Sequence, residues 1–448
     1  MTEPVADLTA RRLSVLLARE QVTGRLPSVV AGLVRDGALV WSDAVSGVAG
    51  PEVGPDVQYR IGSITKTLVA VLVLQLRDEG RLDLNDPLSA HLPGTAYGER
   101  TLRQLLSHSA GMHSEPAGPW WERSPGVSFA ELVAALDDTP AFAPGETFHY
   151  TNTAFALLGE LVARLRGGTW WEQAQRRVLE PLAMTRTGYL PTPPHATGWS
   201  VHHFAGTLTP EPAYDAGAMA PAGQLWSTVT DLARYAVFLL DGHPDVLSAA
   251  TLAEMAVPLS ASRAGALAAA HGLGLQLLGG GSGMVVGHAG SMPGFLAGLF
   301  VDPARRTGAV LLANGTAGMR CGPLAVELLE ELEAAEGTLP GRWTPAAGVP
   351  AAVTDVLGVW HWGNTAYAFA WDGEEVAVTA LARGGRAHRF VPRPDGTLLG
   401  TAGYHHGELL HVVRGPDGAV SHLVCETFVY TRTPYDPAAP IPGGHAPR

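Results

Sequence analysis

The 448-residue sequence predicts an α+β domain, an antiparallel sheet with helices, followed by a small antiparallel β-barrel. Three observations carry this. A helical segment and an Asp-Gly hairpin precede a long apolar helix near residue 63. Two apolar strands flank Asp302-Pro303. Beyond a Pro/Gly/Ala-rich stretch around Pro340, Pro345 and Pro350, short strands recur at close intervals.

Residues 6 to 22 repeat Leu8, Leu13, Leu16, Leu17 and Val22 at helical spacing. Val29 to Arg35 and Ala38 to Trp41 read as strands around the Asp36-Gly37 turn. Residues 63 to 79 form a helix ended by Gly80, with Ser63 and Lys66 in its first turn. Residues three apart share a helix face, and first-turn amides have no intrahelical partner. A serine hydroxyl becomes a nucleophile only when a base takes its proton and donors await the oxyanion. Lysine is a base only when neutral, and burial against the Leu/Val helix lowers its pKa. Alone, S-x-x-K is a common tetrapeptide.

Thr101 to Met112 starts as a short helix stopped near Gly111, where His108 reads as a packing residue. The Pro- and Trp-rich residues 113 to 145 expose Trp120 and Trp121 as candidate cleft walls. Tyr150-x-Asn152 stands where a loop enters the helix Ala154 to Leu165. A tyrosine beside an ammonium is a candidate proton carrier, and an asparagine can hold an amide carbonyl. Pro181 to Pro221 is loop-like, Trp226 reads as core with a cleft contact as the second reading, and Asp231 to Leu240 is helical. The glycines from 279 to 283 lack the lysine and spacing of a phosphate loop. Met284 to Gly294 carries His288-Ala289-Gly290-Ser291, and strands Phe295 to Val301 and Gly308 to Asn314 continue as a meander.

Net charge is −12, which argues against a nucleic-acid partner, and 46% hydrophobic with 16% charged residues is the balance of a core-forming chain. Cys321 and Cys425 stand far apart without a C-x-x-C motif, so neither a disulfide framework, a structural zinc site nor another cofactor is expected. Glu3, Asp7, Arg11 and Arg12 charge the N-terminus, and Leu13 to Ala18 is interrupted by Ser14. Neither a signal peptide nor a membrane span is read there, so the expected location is cytoplasmic, without a membrane partner.

The composition divides the chain into a first domain over 1–340, a linker over 341–351, a barrel over 352–433 and a loose tail over 434–448. Barrel strands are expected from Gly358, Ala366, Glu375, Arg389 and His411, and along His422 to Arg432.

Taken together, Ser63-x-x-Lys66, Tyr150-x-Asn152 and His288-Ala289-Gly290 resemble, in order and context, the motifs of the serine penicillin-recognising enzymes. The tyrosine in the second motif and Leu105-Leu106-Ser107-His108-Ser109-Ala110-Gly111 are similar to the class C β-lactamase and D-aminopeptidase branch. This resemblance spans about residues 1 to 340 and implies a β-lactamase/transpeptidase-like domain. One departure is His288 where those enzymes carry lysine, so carboxylate recognition there is not expected. No G-x-S-x-G elbow points to another hydrolase fold. With the appended lipocalin-like barrel, the chain most resembles the penicillin-binding-protein-type thioesterases that release nonribosomal peptides. The resemblance implies acylation of Ser63 with Lys66 or Tyr150 taking the proton, an oxyanion hole from the amides of Ser63 and Ser291 beside Gly290, and Asn152 on a substrate amide. It also implies His288 at the site, Trp226 as a cleft contact, and Arg432 near the attacking end. The implied substrate is a peptide held as a carrier-protein or other thioester, released by head-to-tail macrocyclisation. An intracellular D-stereospecific peptidase, esterase or β-lactamase-like hydrolase is the alternative. A sensor with this pocket would acylate once without turnover.

Overall fold

The computed structural model describes residues 3–48, 53–261, 269–281, 283–337, 342–382 and 384–434, in two compact units, Met1–Thr338 and Leu339–Arg448. In the first unit the Asp36-Gly37 turn has positive φ at both residues, 48° and 79°, as a tight hairpin requires. It joins Ser28–Arg35 to Ala38–Ser46 at one edge of an eight-stranded antiparallel sheet. From that edge the order is Ala38–Ser46, Ser28–Arg35, Thr307–Ala313, Phe295–Asp302, Gly283–Met292, Gln276–Gly280, Ala269–His271 and Ser260–Ala261. The last three were not anticipated, being short and glycine-broken.

Both faces of the sheet are covered. Helices Asp7–Gly24 and Cys321–Glu336 pack Leu13, Leu17, Leu324 and Leu328 against Val29, Ala31 and Leu311. On the other face Val30, Val34, Val310 and Leu312 join a larger core with helices Thr65–Asp78, Asn152–Arg166 and Val229–Asp241. Double coverage explains why the central strands read as unbroken apolar runs rather than alternating ones.

The helix Thr65–Asp78 is buried at every residue from Thr65 to Leu76. Its start differs from expectation: Gly62–Ile64 form a 3₁₀ turn and the α-helix begins at Thr65. At the second motif Thr151 caps the next helix, its hydroxyl accepting from the Ala154 amide at 3.3 Å, so Asn152 is the first helical residue.

The second unit is a closed antiparallel barrel of eight strands, Gly358–Trp362, Thr365–Trp371, Val376–Ala380, Ala387–Pro392, Leu398–Ala402, Leu409–Arg414, Val420–Cys425 and Phe428–Thr431. Trp360, Phe369, Phe390 and Leu423 fill its interior. Two expectations are corrected. His422 to Arg432 is not one strand: it turns at Glu426, which takes φ 52° without glycine or asparagine to signal it. Leu398–Ala402 was missed because Gly400 weakens its pattern; a Cβ there would lie 1.8 Å from the His405 carbonyl oxygen. Residues 435–448, nearly all of the expected tail, lie outside the described residues, as does Gly341 of the expected linker.

Candidate active site

Ser63 sits in the 3₁₀ turn, partly exposed to a cavity of about 520 Å³. One helical turn on, Lys66 is fully buried and its Nζ makes three contacts: Ser63 Oγ at 3.0 Å, Asn152 Oδ1 at 2.6 Å and the Ala222 carbonyl at 2.6 Å. Burial lowers the lysine pKa to about 7, against the opposing pull of the Glu115 and Glu122 charges. A neutral amine has two N–H donors and one lone pair. With both donors taken by the Asn152 and Ala222 oxygens, the lone pair is left for the Ser63 hydroxyl.

Asn152 is held in turn by Glu115, whose carboxylate accepts from Asn152 Nδ2 and, at 2.7 Å, from Trp121 Nε1. That contact corrects the reading of Trp121, which is 9% exposed, while Trp120 is 61% exposed. Neither Glu115 nor the Ala222 carbonyl carries a sequence signal. Glu115 reaches Asn152 and the Ala222 carbonyl reaches the lysine, each from a separate loop or turn.

Tyr150 lies across the cavity, its ring 4.9 Å from Lys66 Nζ. The hydroxyl is buried and makes no complete hydrogen bond. Burial raises its pKa far more than the adjacent Ser63 lowers it, so the phenol keeps its proton at neutral pH. Behind it His108 stacks at 4.3 Å, and His108 Nδ1 accepts the Thr151 amide at 3.1 Å. His108 is therefore a packing residue that also positions the tyrosine.

Two glycines bring the Ser63 turn against strand Gly283–Met292. A Cβ on Gly290 would lie 2.0 Å from the Ile61 carbonyl oxygen and 3.2 Å from the Ser63 amide nitrogen. One on Gly62, which has φ 51°, would lie 2.5 Å from the Ser291 amide nitrogen. Only backbone fits there. The amides of Ser63 and Ser291 are thus brought together beside the serine, the arrangement an oxyanion hole needs.

A family model described as Beta-lactamase matches residues 14–331. The chain belongs to the beta-lactamase family. Its second unit matches a domain of unknown function, DUF7586, over residues 349–432. Among relatives, the chain is similar to Putative beta-lactamase-like 1 of Homo sapiens, 32% identical over 273 residues, 57% of this chain and 54% of that protein. The chain spans about half the length of the first curated relatives it matches. Among solved structures it resembles a D-stereospecific amidohydrolase from Streptomyces sp., 27% identical with a TM-score of 0.61, covering 73% of this chain and 99% of that one. It also resembles SurE with D-Leu, 26% identical with a TM-score of 0.57, covering 96% and 100%.

In this beta-lactamase-family chain His288 is buried and neutral. Burial lowers its pKa to about 3, helped by His271 and Lys66. Its Nδ1–H donates to the Ala289 carbonyl, which leaves Nε2 an unpartnered acceptor in a cavity-lining residue. A carboxylate finds no cation at that position. His271, with its pKa lowered to about 4 by burial, lines the same cavity and was not read from the sequence. Trp226 does not line it: the ring is 2% exposed and packs edge-on against Phe295 at 4.9 Å. Pairing of Tyr59–Arg60 with Trp226–Ser227 draws it into the core. Arg432 belongs to the barrel unit, where it donates to the carbonyls of Asp355, Leu357 and Val359 and lies 3.8 Å over the Trp360 ring.

Proposed function

We propose that the protein accepts a peptidyl thioester on Ser63, through the carbonyl of a D-configured residue, and releases it by head-to-tail cyclisation. The observation that carries the acyl-transfer chemistry is the orientation of Lys66. With its donors engaged by Asn152 and Ala222, it receives the Ser63 proton as Oγ attacks the carbonyl. The tetrahedral oxyanion forms between the amides of Ser63 and Ser291. As the C–S bond breaks, Lys66 returns the proton to the leaving thiolate. The peptide's own amine then attacks the ester carbonyl, Lys66 takes its proton, and as the C–Oγ bond breaks Lys66 passes that proton to Ser63 Oγ, regenerating the hydroxyl and the neutral amine. The second N–H of Asn152 Nδ2, not used by Glu115, is the proposed donor to a substrate amide carbonyl.

Similarity to the D-stereospecific amidohydrolase and to SurE with D-Leu supports a D-configured acyl residue. Similarity to SurE runs through both units. The cavity walls combine apolar Phe148, Ala261, Ala269, Ala270 and Leu296 with the polar groups of His271, Gln276, His288 and Ser291. A carrier-protein thioester in the cytoplasm is the proposed donor. Hydrolysis by water on the same acyl-enzyme is the second reading, favoured by the amidohydrolase match.

The test is incubation with linear peptidyl thioester mimics ending in a D- or an L-residue, with products and intact enzyme followed by mass. Cyclisation gives a product one water lighter than the free acid, from the D-series. Free acid alone across the panel overturns the cyclase and leaves the hydrolase. Absence of an acyl adduct on Ser63, or full turnover by Ser63→Ala instead of a loss of several orders of magnitude, overturns both.

A further inference from the structure

The barrel brings together three side chains of different chemistry that the sequence keeps apart. His405 and Cys425 are fully buried and Glu408 is partly exposed. Their candidate ligand atoms all lie within 4.8 Å of one another. His405 Nδ1 is 2.6 Å from Glu408 Oε2, and Cys425 Sγ is 3.5 Å from the same oxygen. Register creates the grouping: Leu410 pairs with Cys425 across neighbouring strands, which sets the cysteine beside the His405-to-Glu408 turn.

We propose that His405, Glu408 and Cys425 bind a divalent cation of the zinc class. A thiolate, an imidazole and a carboxylate form a ligand set that suits zinc and disfavours magnesium or calcium. Tetrahedral zinc, with its usual bond lengths, places sulfur about 3.6 Å from oxygen and nitrogen about 3.3 Å from oxygen. The sulfur–oxygen distance of 3.5 Å already matches. The imidazole–carboxylate pair opens by about 0.7 Å as the metal replaces the proton between them.

The surroundings fit a ligand set. The other ring nitrogen of His405 lies 3.1 Å from the Tyr430 hydroxyl, which can accept Nε2–H once Nδ1 turns its lone pair to a metal. As the metal–sulfur bond forms, the thiol proton leaves to solvent. His388 stands 4.8 Å from His405, ring centre to ring centre, 2% exposed and with both ring nitrogens buried and unpartnered. The turn is pressed against the wall by Gly400 and Gly403; a Cβ on Gly403 would lie 2.1 Å from the Ala387 carbonyl oxygen and 3.0 Å from His388 Nδ1. Spacing could not reveal this site, because its cysteine arrives by strand pairing.

The test uses the untagged full chain, stripped with chelator and titrated with Zn²⁺ and, separately, Co²⁺. One tightly retained equivalent of Zn²⁺ is expected, with a thiolate-to-cobalt charge-transfer band in the near ultraviolet. Glu408→Gln, at a partly exposed position, should weaken binding at least about tenfold. Cys425→Ser should abolish the band, and Cys321→Ser should leave it intact. No stoichiometric binding by the folded wild-type chain, or a band lost only with Cys321, overturns the assignment.

Discussion

Glu115→Gln removes one of the two carboxylate charges that favour protonated Lys66 while leaving an oxygen to accept from Asn152. Both Lys66 and Glu115 bind the Asn152 amide, which places the carboxylate within about 7 Å of the amine. Because Glu115 is open to solvent, an effective dielectric of about 40 to 80 applies, and the lost interaction is roughly 0.6 to 1.2 kcal/mol. Removing an anion favours the neutral amine, so the lysine pKa falls from about 7 by roughly half a unit to one unit. The assay is the single-turnover acylation rate between about pH 5 and 9, quenched and read by intact mass. In the wild type the rate should rise through a midpoint near 7, the pKa to which burial lowers Lys66. In Glu115→Gln the midpoint should move to lower pH, so the variant is relatively faster in mild acid. A midpoint that stays in place or rises refutes Lys66 as the titrating base.

Other outcomes follow from the same geometry. Gly290→Ala puts a methyl 2.0 Å from the Ile61 carbonyl oxygen and should cut kcat by about 10²-fold or more by parting the two amides, with circular dichroism verifying the fold. Trp226→Ala should cost about 3–5 kcal/mol in urea unfolding, as a core truncation does. Trp226→Phe should leave KM unchanged across substrates, and a substrate-dependent KM would return Trp226 to the cleft. Acid should destabilise the first unit through its buried histidines. The folded pKa values of His288 and His271, about 3 and 4, lie below the ordinary 6.5. The unfolded chain therefore takes up protons first, so stability present above 6.5 is lost as pH falls toward 4 and 3, by up to about 1.4 kcal/mol per histidine per pH unit. Urea melts at stepped pH should show this slope, and His288→Asn should reduce it.

Ser63 and Lys66 were legible because one helical turn joins them, and Tyr150 and Asn152 because a capped helix start fixes both. Glu115, Ala222 and His271 were not, since each reaches the site from a different loop, turn or edge strand and local periodicity is silent on such meetings. Trp226, read as core first and as a cleft contact second, is buried against Phe295 and tied in by a two-residue strand pairing with Tyr59–Arg60, which fits the first reading. In the barrel, strand character was legible from β-branched and aromatic runs. The reversal at Glu426 was not, because a left-handed glutamate carries none of the usual turn chemistry.

The contact between Gly62 and the strand at Gly290 and Ser291 is made by main chain on both sides. The Ser63 hydroxyl and the two amides are therefore registered by main chain at two positions that exclude a side chain, while the cavity rim is built from replaceable groups such as Phe148, His271 and Leu296. Selection can rewrite that rim one residue at a time, altering which acyl chain is admitted, while the bond-making geometry is inherited intact. A library confined to the rim should accordingly yield many variants that still acylate at Ser63 and differ chiefly in the donor they prefer.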